Sequence, residues 1–208
     1  MTPSLAANNL SAIRGERLLF SNLNFELLAG HSLRVSGANG SGKTTLLRML
    51  AGLSAPAKGE ILWEQQNIHR CREQFQSQMA YSGHQFGLSS DLTTLENLRY
   101  LLPKPVADDE LIELLERLGL KACVDLPARY LSQGQRRRLI LTRLLAMKVA
   151  CWILDEPLAA LDADGITLVE QICADHLARG GLLVITSHQK LSPILGEVPE
   201  LHLGGVGS

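Results

Sequence analysis

Short alternations of apolar and polar residues fill the first part of the chain. Leu18-Leu19-Phe20 and Leu23-Asn24-Phe25-Glu26-Leu27 carry them, with breaks at Ser21-Asn22 and Ala29-Gly30, so residues 5–33 read as β. Leu33-Arg34-Val35-Ser36 is a short strand-like run. Thr45 to Leu50 has helix formers and one apolar face, and this helix is expected to end near Ala51-Gly52. A turn at Ser54 to Gly59 leads into a strand at Gly59-Glu60-Ile61-Leu62-Trp63. Met79-Ala80-Tyr81-Ser82 is a further strand, followed by a loop through Ser90.

From Leu92 to Met147 the periodicity becomes helical. Helices are predicted over residues 94–102, 108–118 and 135–147, the second with acids in its first turn and Gly119 at its end. Pro103 and Pro105 separate the first two. The β pattern then returns with the continuous apolar run Ala150-Cys151-Trp152-Ile153-Leu154. A helix over 162–178, a buried strand over 181–186 and a short strand at Leu201-His202-Leu203 follow. Residues 204–208 are expected to fray. Strands alternating with helices predict an α/β domain with a mostly parallel sheet, an antiparallel β portion and an inserted helical sub-domain. The expected division is one domain over 1–208, with 1–90 and 149–208 as its core and about 91–148 as the helical insert.

Between the strand at Leu33 and the helix at Thr45 lies Gly37-Ala38-Asn39-Gly40-Ser41-Gly42-Lys43-Thr44-Thr45. It fits G-x-x-x-x-G-K-[ST] in strand–loop–helix context. Burying a polyphosphate requires donors. Glycines let the backbone wrap closely, the loop N–H groups form an anion nest, and the helix start adds partial positive charge. Lys43 is placed to reach the β- and γ-phosphates of ATP, and Thr44 to hold Mg²⁺.

Three further constellations change the picture. The apolar run ending in Asp155-Glu156 places two carboxylates at the C-terminal edge of a buried strand, where open α/β sheets bind ligands. Asp155 suits the Mg²⁺ sphere and Glu156 the polarisation of an attacking water. Leu131-Ser132-Gln133-Gly134-Gln135 opens a helix and forms a second anion-facing N-terminus. Ile185-Thr186-Ser187-His188 brings a histidine to the sheet edge that carries Asp155, where a ring N–H could touch the γ-phosphate.

Composition narrows the field. With 20 Lys+Arg against 21 Asp+Glu and few aromatics, neither a nucleic-acid surface nor a polybasic membrane patch is expected. No apolar run is long enough to span a bilayer, and residues 1–9 lack the pattern of a signal peptide. Cys71, Cys123, Cys151 and Cys173 have no metal-like spacing and read as reduced thiols, mostly core filler.

These motifs together resemble the ATP-binding subunits of ABC transporters over nearly the full chain. Gly37 to Thr45 is similar to Walker A, Leu131 to Gln135 to the ABC signature, and Cys151 to Glu156 to Walker B. Ala160-Leu161-Asp162 is similar to the D-loop, and His188 to the switch histidine. The resemblance implies the ABC-type P-loop fold, ATP and Mg²⁺ as cofactors, and a head-to-tail homodimer. Each ATP would sit between the P-loop of one copy and Ser132, Gln133, Gly134 and Gln135 of the other, with Asp162 nearby and Glu156 and His188 as the catalytic pair. Counting back from Leu95-Glu96-Asn97-Leu98 places His84 at the usual Q-loop position; Gln85 is the favoured Mg²⁺-sensing side chain. Arg14 stands where an adenine-stacking aromatic is usual and offers its guanidinium plane instead. Leu-Ser-Gln-Gly-Gln-Arg-Arg-Arg, Tyr-x-Gly-His-Gln and Leu-x-x-Leu-Glu-Asn-Leu narrow the resemblance to the heme-exporter ATPases of bacterial cytochrome c maturation. That resemblance implies integral membrane partners of the CcmB and CcmC type, a peripheral position on the cytoplasmic face of the inner membrane, and no direct binding of heme by this chain. The alternatives are the ATPase of another small ABC exporter or a soluble, non-transport ABC ATPase.

Overall fold

In the computed structural model, residues 3–83 and 87–204 are described. They divide into two units: Met1–Gly83, Val149–Pro157 and Glu170–Ser208 form the first, and His84–Lys148 with Leu158–Val169 the second.

The first unit holds two sheets. Strands β1 (Ser4–Arg14) and β2 (Arg17–Leu28) pair antiparallel around a tight Gly15-Glu16 turn. With β4 (Lys58–Trp63) and β5 (Gln66–Asn67) they form a sheet of order β2-β1-β4-β5. Leu5, Ala7, Leu10 and Ala12 of β1 are buried, an alternation interrupted where the register shifts between Ala7 and Leu10.

The second sheet is parallel throughout. Its order is β6 (Met79–Ser82), β7 (Cys151–Leu154), β8 (Leu182–Thr186), β3 (Ser32–Gly37), β9 (Glu200–Leu203). Every residue of β7 and β8 is buried, as their unbroken apolar runs demand of central parallel strands. Helix α1 (Lys43–Leu50) anchors to this core through Leu46, Leu47 and Leu50. Each such leucine contributes about 2 kcal/mol on burial. The P-loop is therefore held at both ends, by β3 on one side and by these leucines of α1 on the other. Helix α2 (Arg72–Ser77), which no pattern in the sequence predicts, is held by Phe75, whose ring packs 5.5 Å from that of Trp63.

Helix α6 (Ala163–Ala178) begins one residue later than expected. His176, near its end, lies flat on Trp152 of β7, with ring centroids 3.9 Å apart and planes 3° apart. Its Nε2 is 3.2 Å from the Leu182 carbonyl oxygen, which can only accept, so that nitrogen carries the proton.

In the second unit, α3 (Thr94–Leu101), α4 (Asp108–Arg117) and α5 (Gln133–Met147) pack around Leu98, Leu111, Leu115, Leu120 and Leu139. The helix α3 starts at a capping box: the Thr93 hydroxyl accepts the Glu96 N–H, and the Glu96 carboxylate accepts the Thr93 N–H. Helix α5 begins at Gln133, two residues before the predicted start at Gln135, because Ser132 caps it. Helices α3 and α4 each stop one residue earlier than predicted, at Leu101 and Arg117. Asn97 is fully buried. Its carboxamide nitrogen donates to the carbonyls of Ser89, Leu92 and Thr93, and its oxygen accepts the Ser89 N–H. Arg143 donates to the Leu101 carbonyl at the end of α3, and its burial pulls the guanidinium below the usual arginine range.

Candidate functional site

The loop joining β3 to α1 is shaped by glycines under real constraint. Gly37 has φ +143°, and a Cβ there would stand 2.6 Å from Ser41 Oγ and 2.7 Å from the Leu203 carbonyl oxygen. Gly42, the N-cap of α1, has φ +102°, and a Cβ there would stand 3.2 Å from Leu19 and 3.3 Å from Phe20. A glycine N-cap leaves the first-turn amides without a side-chain acceptor, and no acid stands in that turn. Ala38, Asn39 and Gly40 are exposed at the loop crest, Ser41 is buried beneath it, and Thr45 is half-buried in the first turn. The Lys43 ammonium donates to the carbonyls of Gly37 and Ala38 at 2.8 and 3.2 Å. Loop amides, a helix start and an ammonium are the kinds of group that an anion site requires.

Beside it, the end of β7 delivers the carboxylates. Asp155 and Glu156 are only 2% and 8% exposed. The Asp155 N–H donates to the Ser82 carbonyl, extending the β6–β7 pairing by one residue. Thr44 Oγ1 donates to Asp155 Oδ2 at 2.8 Å, and Thr186 Oγ1 donates to Asp155 Oδ1 at 2.8 Å. Thr186 also accepts the Glu156 N–H at 2.8 Å. Glu156 has φ +54°, the left-handed region that residues with a Cβ enter at a cost. Its Oε1 is 3.4 Å from His188 Nε2. Burial, and then the nearby Asp155 carboxylate, raise the Tyr81 hydroxyl above the usual tyrosine range.

The first unit thus gathers Lys43, Thr44, Asp155, Glu156 and His188. Thr186 is a functional side chain that the sequence presents only as part of the run before His188. The one available signal was a hydroxyl ending a strand whose other four residues are apolar. Arg14 is the last residue of β1, exposed and paired across the hairpin with Arg17.

In the second unit, Ser132 Oγ accepts the Gln135 N–H at 3.2 Å, and Gln135 Oε1 accepts the Ser132 N–H at 2.8 Å. The Gln135 carboxamide also lies 3.5 Å from Cys123 Sγ. Gln135 therefore serves the capping box, while Ser132 and Gln133 are exposed at the helix start. A Cβ added at Gly134 would make only ordinary contacts, 3.8 Å from the Ala160 carbonyl oxygen and from the Leu161 side chain. Asp162 caps α6 by accepting the Gly165 N–H at 2.8 Å, and stands 3.6 Å from Arg138. His84 and Gln85 lie outside the described residues. Cys151 and Cys173 are enclosed in the core, and burial pushes both thiols up to about 12. Among the described residues, no helix is long and apolar enough to cross a membrane.

The family model described as ABC transporter matches residues 20–159. A relative from Methylococcus capsulatus (strain Bath), a cytochrome c biogenesis ATP-binding export protein CcmA, is 48% identical over 202 residues, covering 96% of this chain and 97% of its own. The protein of that name from Escherichia coli K12 is 40% identical over 199 residues, covering 96% of each. Among solved structures, a putative ABC transporter ATP-binding protein from Pyrococcus furiosus superposes with a TM-score of 0.83 at 22% identity, covering 96% of this chain and 97% of its own. A dimeric ATP-binding cassette in a post-hydrolysis state, bound to ADP and Pi, gives 0.76 at 22% identity over 89% and 88%. At such identities the structural likeness speaks to the fold.

Proposed function

The chain belongs to the ABC transporter family of ATP-binding proteins and, within it, to the CcmA group of cytochrome c biogenesis ATP-binding export proteins, and on that premise we propose how its residues divide the hydrolysis of ATP. It is an ATPase, converting ATP and water to ADP and phosphate. The observation that carries the assignment is the continuous chain of contacts from Thr44 through Asp155 and Thr186 to Glu156 and His188, beside the P-loop.

The loop amides of Gly37 to Thr45 and the Lys43 ammonium hold the β- and γ-phosphates and offset their charge. Glu156 accepts a hydrogen bond from the attacking water and draws off its proton as the new oxygen–phosphorus bond forms and the bond from the γ-phosphorus to the bridging oxygen breaks, that oxygen leaving with ADP. His188 orients the Glu156 carboxylate and donates to a γ-phosphate oxygen. Thr44 and Asp155 fit Mg²⁺. They offer hard oxygen donors, a hydroxyl and a carboxylate already in contact, and Mg²⁺ is usually held by one or two carboxylates beside phosphate oxygens and water. Gln85 is the proposed third contact. When bound, the cation offsets charge on the phosphate oxygens.

Two copies pair head to tail, so that the α5 start of one, with Ser132, Gln133 and Gly134, closes on the nucleotide of the other. Gln135 acts there by holding the Ser132 backbone, and Asp162 by shaping the start of α6. Arg14 stacks on adenine. The dimer works peripherally on the cytoplasmic face of the inner membrane with membrane subunits of the CcmB and CcmC type, and its hydrolysis supports heme delivery to a periplasmic chaperone. Glu156→Gln tests the core of this reading. It should bind ATP normally and accumulate a nucleotide-bound dimer, with turnover reduced by about 10²–10⁴. Turnover at the wild-type rate would refute the role of Glu156. Co-purification from native membranes, with the retained membrane subunits identified, tests the placement in cytochrome c maturation.

A further inference from the structure

The backbone ladder between β7 and β8 ends at Leu154 and Ile185. One residue further, pairing continues through a side chain. Thr186 is wholly buried, and its hydroxyl both donates and accepts: the hydrogen goes to Asp155 Oδ1 and a lone pair receives the Glu156 N–H, each at 2.8 Å. A buried hydroxyl costs stability unless satisfied, and this one follows four buried apolar residues, Leu182 to Ile185. Valine has nearly the same shape without the oxygen. Packing alone therefore does not require threonine here.

The two bonds fix two different things. With Thr44 on Oδ2, the bond to Oδ1 sets the plane of the Asp155 carboxylate. The bond to the Glu156 N–H holds a main chain at φ +54°, a conformation costing about 1–3 kcal/mol. That backbone determines where the Glu156 carboxylate points and keeps it 3.4 Å from His188, two residues beyond Thr186.

We infer that Thr186 is a positioning residue for ATP hydrolysis, one hydroxyl that orients Asp155 and Glu156 and ties both to the strand carrying His188. The inference rests on the roles proposed above for Asp155 and Glu156. Its prediction is specific to chemistry. Thr186→Val should lower kcat about 10–100-fold, the usual cost of removing an outer-shell partner. The ATP dissociation constant measured with a fluorescent analogue in EDTA should stay within about threefold, because the phosphate loop is untouched. The Mn²⁺ affinity of the ATP-loaded protein, read by electron paramagnetic resonance, should weaken about tenfold or more.

Serine keeps the oxygen, so Thr186→Ser should retain kcat within about threefold, whereas Thr186→Ala should fall with the valine variant. Serine and alanine both lose the methyl group and differ by the hydroxyl alone, so this pair decides the matter even if Thr186→Val does not fold. Wild-type kcat and Mn²⁺ affinity in Thr186→Val would overturn the inference, as would equal damage in Thr186→Ser and Thr186→Ala. Glu156→Gln is assayed in parallel. If that variant hydrolyses ATP normally, the base is misassigned and the inference falls with it. If it is inactive while Thr186→Val is not, only the inference fails.

Discussion

Replacing Gly37 with alanine adds one methyl group at the most crowded point of the P-loop. The new Cβ would stand 2.6 Å from Ser41 Oγ, 2.7 Å from the Leu203 carbonyl oxygen and 3.3 Å from Leu203 Cβ. Ser41 can rotate away. Leu203 cannot do so cheaply, because its residue pairs with Gly37 in the β3–β9 ladder and its carbonyl is main chain. The backbone at φ +143° adds a cost of about 1–3 kcal/mol for any residue with a Cβ. Overpacking adds about 1–3 kcal/mol. With Ser41 relaxed, about 3 kcal/mol is expected from these two costs. For a chain of this size that is a fall in thermal midpoint of about 6–12 °C. Gly40→Ala is the control. Its φ is +78° with nothing within 4 Å of the added Cβ, so it should lose only about 1–2 kcal/mol. Urea unfolding followed by circular dichroism and by tryptophan fluorescence measures both, and ATP titration shows whether the loop still binds. Equal stability loss in the two variants would refute the added cost assigned to the Leu203 contact.

Lys43→Ala removes the ammonium held over the loop carbonyls and should weaken ATP binding about 10–150-fold by calorimetric titration, the worth of one charge-assisted contact. Ser132→Arg places a long cation at the exposed start of α5 and removes its cap. Turnover should be abolished with monomer ATP binding intact, and the lost cap should cost about 1 kcal/mol of stability. Persistent turnover would rule out the shared site. Burial holds the His176 imidazole below the usual histidine range, so it stays neutral in the folded chain. The unfolded chain gains that proton below about pH 6.5, and stability from this residue should fall as pH drops through that value toward the folded one. Urea midpoints from about pH 8 to about pH 5.5 should decline, and His176→Phe should flatten the decline.

The elements legible in the sequence were those with a local cause. The P-loop motif, the apolar run before Asp155 and the Leu131 to Gln135 string each declare themselves within a few residues. Helix α2 did not, because six residues with one buried side chain, Phe75, carry too little periodicity. The early start of α5 was hidden by polar Gln133 and Gly134, which belong to the helix only because Ser132 and Gln135 close a capping box. The Thr186 bridge could not be read from pattern. It joins residues 30 and 31 positions apart through the register of two strands, and no local spacing encodes that register. The contact of Gln135 with Cys123, twelve residues earlier, is likewise encoded by no local spacing.

The position of β3 has a consequence for synthesis. It is flanked by β8 and β9, and the bond between Ser36 and His202 spans 166 residues. At roughly 5–20 residues per second, the Walker A string leaves the ribosome on the order of ten to thirty seconds before the strands that back it. During that interval the nascent chain carries the phosphate-binding letters without the Leu203 carbonyl against which Gly37 is seated. The nucleotide loop is thus among the earliest segments made and among the last to be finished. ATP therefore meets a completed binding loop only after β9 has emerged.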